Sequence, residues 1–393
     1  MHEPFLFQAP ARLVDFMRQA DQPGFINLAA GVPGLDALPF AALREAAELT
    51  LAAEGASVFA YQHPEGHRPL RALLAERLAA RGVGAAAPER IVTTTGCTQA
   101  LQAMLSVLVR PGEIVACEAP AYYGLLELIA EAGARVLPIP VDGAGLDLDA
   151  TQEALEHWKP KCLVVCTSLS NPSGTTLSEP HRERLVGVCR AARVRLIEDD
   201  IYAELLDSGA PKPCRAFDDG STVSFVTSFS KTVSPGLRVG YCVPGTPELH
   251  DAFAARKCQL DLHSSVISEV ILRTFLSRGG LDPHLAWLRE RNQRRRGLAL
   301  DAIARSFPPG TEVNAPLGGY MLWVQLPTGV KLAEVSPLAR TAGVLFAAGS
   351  SFYAVCDRES RPTCQIRLNC ARATEPDLER AVEILGKIVS GLA

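Results

Sequence analysis

Lysine is scarce here: only seven of the 39 basic residues in the 393-residue chain are lysines. One of them, Lys231, stands in "SFSKTVSPGLRVGY" (228–241), between small hydroxyl residues and shortly before Arg238. It is not one of many on a lysine-rich surface. Other absences narrow the function classes. There is no G-x-G-x-x-G and no G-x-x-x-x-G-K-[ST], which disfavours a dinucleotide or nucleoside triphosphate site. The eleven cysteines include no C-x-x-C pair, and the eight histidines lack ligand spacing, since a proline and a glycine separate His63 from His67. A metal site is not expected, whereas a reduced, cytoplasmic protein is. Cys162 and Cys166 share one face of an apparent strand and read as buried small hydrophobes. No apolar run is long enough to span a bilayer, and no signal-peptide pattern opens the chain. A net charge of −4 with 21% charged residues carries no nucleic-acid footprint. The one dense basic run, "RERNQRRR" (289–296), reads as a solvated helix face.

With 48% hydrophobic residues the chain can build one large domain and a smaller one. Residues 90 to 250 alternate short β-branched runs with amphipathic stretches: "ERIVTTTG" then "CTQALQAMLSVLVR", "GEIVACEAP" then "YYGLLELIAEAG", and "ARVLPIPV". "KCLVVCTSLS", "VRLIEDDIY" and "TVSFVTSFS" continue the series. This rhythm predicts an α/β fold with a mostly parallel sheet between helices, and ligands beyond the carboxyl ends of its strands. The texture changes after about residue 285. Residues 1–45 are assigned to an N-terminal segment joining the small domain, 46–285 to the large domain and 286–393 to the small one.

Five clusters fall at strand ends, and each has an ordinary explanation alone. "TTTGCTQAL" (93–101) leads through a glycine into a helix start, where free N–H groups favour an anion, or where Thr98 simply caps the helix. "APAYYG" (119–124) brings two tyrosines, "SNPSG" (170–174) an amide in a turn, "EDDIY" (198–202) acids at the end of an apolar strand, and "SFSK" a lysine. Together they supply an anion cradle, a flat aromatic face, an amide, a carboxylate and an amine. A phosphorylated pyridine aldehyde requires that set.

In order and spacing the clusters N-P-x-G, D-x-x-Y and S-x-S-K-x6-R resemble class I pyridoxal-5′-phosphate aminotransferases of the aspartate-aminotransferase fold (fold type I), close to the kynurenine/aminoadipate type, over nearly the whole chain. The resemblance implies a seven-stranded, mostly parallel sheet in the large domain. It also implies that Lys231 forms a Schiff base with the cofactor aldehyde and shuttles the substrate Cα proton. Asp199, chosen over Asp200 by its spacing to Tyr202, would pair with the pyridine nitrogen. Asn171 and Tyr202 would hold the ring oxygen, and Tyr122 would stack on the ring. The phosphate would rest on Cys97 and Thr98 N–H groups with Ser228, Ser230 and Arg238. Cys97 departs from the small hydroxyl residue usual there. Arg367, in "QIRLNCA", would take the substrate α-carboxylate, with Gly31 close by. Tyr61 would reach the phosphate of a second subunit, which implies a homodimer. Arg12 is either a surface residue on an amphipathic helix or a mobile arginine facing the substrate side chain.

The activity so implied is amino transfer between an L-amino acid and a 2-oxo acid, with 2-oxoglutarate and glutamate as one pair, by a ping-pong mechanism. A β-lyase, decarboxylating or cyclising enzyme shares the same cofactor frame. An effector-sensing domain of a DNA-binding regulator is a further alternative. The roughly twenty residues before the matched region would not hold a DNA-reading helix pair, so the expected partners are small molecules and a second copy, not nucleic acid or membrane.

Overall fold

The computed structural model describes residues 3–7, 14, 18, 22–84, 87–354 and 364–393. Arg12 lies outside the described residues. Seven strands form the body of the large sheet: β1 (Val92–Thr94), β2 (Ile114–Ala119), β3 (Arg135–Asp142), β4 (Cys162–Cys166), β5 (Arg195–Asp199), β6 (Val223–Ser228) and β7 (Gly240–Val243). Their order is β3-β2-β4-β5-β6-β7-β1, and the two-residue strands Phe5–Leu6 and Gly145–Leu146 pair with β3 to make nine. β3, β2, β4, β5 and β6 are parallel, while β7 runs antiparallel to both β6 and β1.

Both faces of the sheet are covered, which is why its strands read as continuous apolar runs. Val115, Cys117, Cys162 and Val164 pack on one side, with helices Cys97–Leu108, Tyr123–Glu131 and Pro247–Asp261. The alternate residues Ala116, Leu163 and Val165 face helices Leu148–Trp158 and Glu179–Ala192. A second, antiparallel sheet contains β8 (Glu312–Asn314), β9 (Met321–Gln325), β10 (Ala347–Ala348) and β11 (Gln365–Asn369), in the order β8-β9-β11-β10. Its apolar face packs on helices Leu281–Ser306 and Glu375–Ser390. Ile26–Asn27 pairs in parallel with Val344–Leu345, so the early segment leans on this second layer.

One surface expectation is corrected. Within "RERNQRRR", Arg295 and Arg296 are buried and Asn292 is fully so. Arg291 and Arg295 hold Asp36 at 2.7 and 3.1 Å, and Arg296 pairs with Asp207 and donates to the Gly319 carbonyl. The long helix runs between the early segment and the second sheet, so the face carrying these arginines is covered by chain distant in sequence.

At the end of β5, Glu198 and Asp200 turn to one side, into a buried polar knot. Arg182 lies 3.6 Å from Glu198 and 3.8 Å from Asp200, and Arg81 pairs with Asp200 at 2.6 Å. Arg182 also donates to Leu177 and Thr167 carbonyls and to Ser168 Oγ. Removing one member leaves buried charge uncompensated. Arg182→Ala should therefore cost about 3–5 kcal/mol of stability, read as a lower Tm and denaturation midpoint. A wild-type midpoint would show that the knot does not hold the strand end.

Candidate active site

The carboxyl ends of β2, β4, β5 and β6 open on one cavity of about 470 Å³. At one end, Gly96 (φ 81°) turns β1 into the helix Cys97–Leu108, with no side chain capping the start. The helix therefore begins at Cys97, and Thr98 sits in its first turn rather than at the cap. Its free N–H groups and dipole make an anion site. Arg238, itself at φ 54°, closes this end by donating to the Thr95 carbonyl at 3.0 Å and to Ser230 Oγ at 3.3 Å. A Cβ at Gly96 would lie 2.4 Å from Arg238 Nη2, so only glycine lets the guanidinium approach the helix start. Ser230 lines the cavity, but Ser228 stands one layer back, 2.8 Å from Ser230 Oγ and bonded to the Val239 carbonyl.

Asp199 faces the cavity, whereas Asp200 is held in the knot behind it. Its carboxylate accepts from the Cys97 thiol at 3.4 Å and the Ile201 N–H at 3.3 Å, with no ion pair among the described residues. Burial is the main cause that pushes this carboxyl up to about 6; the two hydrogen bonds and the Lys231 charge pull it partly back. Lys231, just after β6, donates from Nζ to the Gly31 carbonyl at 2.7 Å. Burial, then the Arg367 and Arg238 charges, lower its amine to about 8, against the pull of Cys97 and Asp199. Tyr122 lines the wall, and its ring lies where a Cβ at residue 124 would be 2.5 Å away, so Gly124 makes room for it. Tyr202 is buried beside the cavity, and desolvation keeps its phenol protonated.

Arg367, on β11, is fully buried. It donates to Asn171 Oδ1 at 2.6 Å and to the Ala29 carbonyl, and lies 4.9 Å from the Phe352 ring. A Cβ at Gly31 would come within 3.3 Å of its guanidinium. Tyr61 is 84% exposed and packs edge-on against His263, outside the described cavity lining. Cys166, Ile201 and Leu101 also line the cavity, although motif reading passed over them. Two of these follow from the period of the strands. Cys166 continues the Cys162 face to the carboxyl end of β4, where it is half-buried and not the enclosed residue anticipated; Ile201 is two residues beyond Asp199.

The residues fit a phosphorylated pyridine aldehyde: a helix-start anion cup, a half-buried carboxylate with no ion pair among the described residues, an aromatic wall and a lysine with a lowered proton affinity share one cavity. On this sheet such a site defines a fold-type-I pyridoxal-phosphate enzyme. The chain belongs to the aminotransferase class I and II family, whose model matches residues 23–385. Class I members use pyridoxal 5′-phosphate. It is 30% identical over 382 residues to 2-aminoadipate transaminase of Thermus thermophilus, covering 96% of this chain and 93% of that one. It is also 31% identical over 385 residues to an uncharacterized HTH-type transcriptional regulator of Escherichia coli, covering 96% of this chain and 80% of the regulator. The structure of the α-aminoadipate aminotransferase LysN from Thermus thermophilus, complexed with N-(5′-phosphopyridoxyl)-L-leucine, superposes with a TM-score of 0.88 at 29% identity, covering 98% and 96% of the two chains.

Gly96→Ala should weaken binding of pyridoxal 5′-phosphate to the cofactor-free chain by roughly tenfold or more, because the new Cβ displaces the Arg238 fork. Fluorescence titration measures it. An unchanged dissociation constant would remove the Arg238–helix-start cup from the site.

Proposed function

We propose that this aminotransferase moves an amino group between an L-amino acid and a 2-oxo acid, with glutamate and 2-oxoglutarate as one pair, in two half-reactions that share one site. The observation that carries the reading is the meeting of Lys231, Asp199 and the Cys97–Thr98 helix start in one cavity. When bound, pyridoxal phosphate supplies an electrophilic carbonyl and an electron-accepting ring that makes a substrate Cα–H bond acidic.

The chain's residues then have separate tasks. Asp199 holds the ring-nitrogen proton by its charge. Tyr202 and the Asn171 amide donate to the ring oxygen; Asn171 Oδ1 is already taken by Arg367, which leaves its Nδ2 for this bond. Tyr122 covers one ring face. The N–H groups of Cys97 and Thr98, with Ser230 and Arg238, would hold the phosphate, and Ser228 orients Ser230. Lys231 removes and returns the Cα proton at Nζ, and a proton affinity lowered to about 8 keeps a usable fraction of free amine near neutral pH. Arg367 takes the substrate α-carboxylate in place of the Ala29 carbonyl while keeping its bond to Asn171 Oδ1, with Gly31 leaving room for that approach. For the second carboxylate of 2-oxoglutarate we assign Arg12. Exposed Tyr61, with Phe59 and Leu262, forms the face we assign to a second copy.

A regulatory role has one specific observation in its favour, the likeness to an HTH-type regulator. Single-turnover spectroscopy separates the readings. The loaded protein should lose its aldehyde-form absorbance on mixing with glutamate, releasing one 2-oxo acid per site, and regain it with 2-oxoglutarate. Borohydride should fix the cofactor's mass on the Lys231 peptide. Cofactor binding without amino transfer across a panel of amino acids would overturn the aminotransferase reading in favour of a sensor or another reaction.

A further inference from the structure

The chemistry proposed above uses the backbone of Cys97 and leaves its side chain without a task. That side chain is buried, and its Sγ reaches Asp199 Oδ1 at 3.4 Å. The Ile201 N–H donates to the same oxygen at 3.3 Å. Both protein donors to Asp199 among the described residues therefore converge on Oδ1, and Oδ2 is left to the cavity that Asp199 lines. We infer that Cys97 is a positioning residue acting through Asp199: its S–H fixes the carboxylate's rotation so that Oδ2 meets the ring nitrogen of the bound cofactor.

The inference rests on the reading of Asp199 as the partner of that nitrogen. The direction of the bond is set by the chain. Burial first, then the Asp199 charge, push the thiol well above its ordinary range, so the proton stays on sulfur and Asp199 accepts. A donor at this place favours the ionised carboxylate against the desolvation that opposes it. It also joins the two ends of the cavity through one residue. The Cys97 backbone belongs to the anion cup, and its sulfur belongs to the carboxylate at the opposite end of the ring. A thiol that merely filled space would have no effect on the ring end.

The test compares pyridoxal 5′-phosphate with pyridoxal, which lacks the phosphate, as ligands of the cofactor-free full chain. Cys97→Ala should weaken both by the same factor, roughly three- to tenfold. Cys97→Ser, which keeps a donor, should restore most of the loss. In an Asp199→Asn background, Cys97→Ala should add nothing, because the two act as one unit. In the holoenzyme, the infrared S–H band of Cys97, identified by its loss in Cys97→Ala, should move to higher wavenumber in Asp199→Asn. A loss confined to the phosphorylated ligand would assign the side chain to the anion cup and overturn the inference. Additive losses, or an S–H band indifferent to Asp199→Asn, would overturn it equally. If Asp199→Asn alone left both affinities unchanged, the underlying reading of Asp199 would fall as well.

Discussion

At the end of β5, Glu198, Asp199 and Asp200 follow one another, and the strand pleat sorts them. Glu198 and Asp200 turn toward Arg182 and Arg81, while Asp199 turns to the opposite face and into the cavity. The site depends on this sorting. Three adjacent carboxylates would repel one another if they shared a face. Two are paired with the guanidinium groups of Arg182 and Arg81, and the third has hydrogen bonds and no ion pair among the described residues. Burial alone raises the proton affinity of such a carboxylate, so a cationic ring nitrogen is the group that completes it.

The other end of the cavity rests on a similar division of labour. Gly96 gives a sharp entry to the helix and leaves its first N–H groups open, and Arg238 is brought against that entry from the loop between β6 and β7. The early segment closes the remaining side. Asn369 donates to the Ala30 and Val32 carbonyls and Arg367 to that of Ala29, so the backbone around Gly31 is pinned from β11. The Gly31 carbonyl is then free to meet Lys231. Two sheets, far apart in sequence, thus position one lysine and the carbonyl to which it donates.

The strand–helix alternation of residues 90 to 228 was legible because each strand is an apolar run ended by polar or small residues. β7 was not. It is four residues long and follows Arg238 after a single residue, with no turn signal to separate it. The cavity residues carried by motifs, such as Asp199, Tyr202 and Lys231, could be named because those motifs resemble the family's in order and spacing. Cys166 and Ile201 could have been found by carrying the two-residue period past the strand ends. The burial of Arg295 and Arg296 had no local signal, since a basic helix face looks the same whether water or a distant Asp36 and Asp207 lies opposite. The contact of Cys97 with Asp199 was illegible for the same reason: 102 residues separate the two.

The sorting of the three acids is tested most directly by the ring nitrogen itself. Holoenzyme loaded with ¹⁵N-labelled cofactor can be followed by nitrogen NMR in wild type, Asp199→Asn and Asp200→Asn. The account predicts a protonated ring nitrogen in wild type and in Asp200→Asn, and a shift to the unprotonated position in Asp199→Asn alone. A nitrogen that loses its proton with Asp200→Asn and keeps it with Asp199→Asn would contradict it.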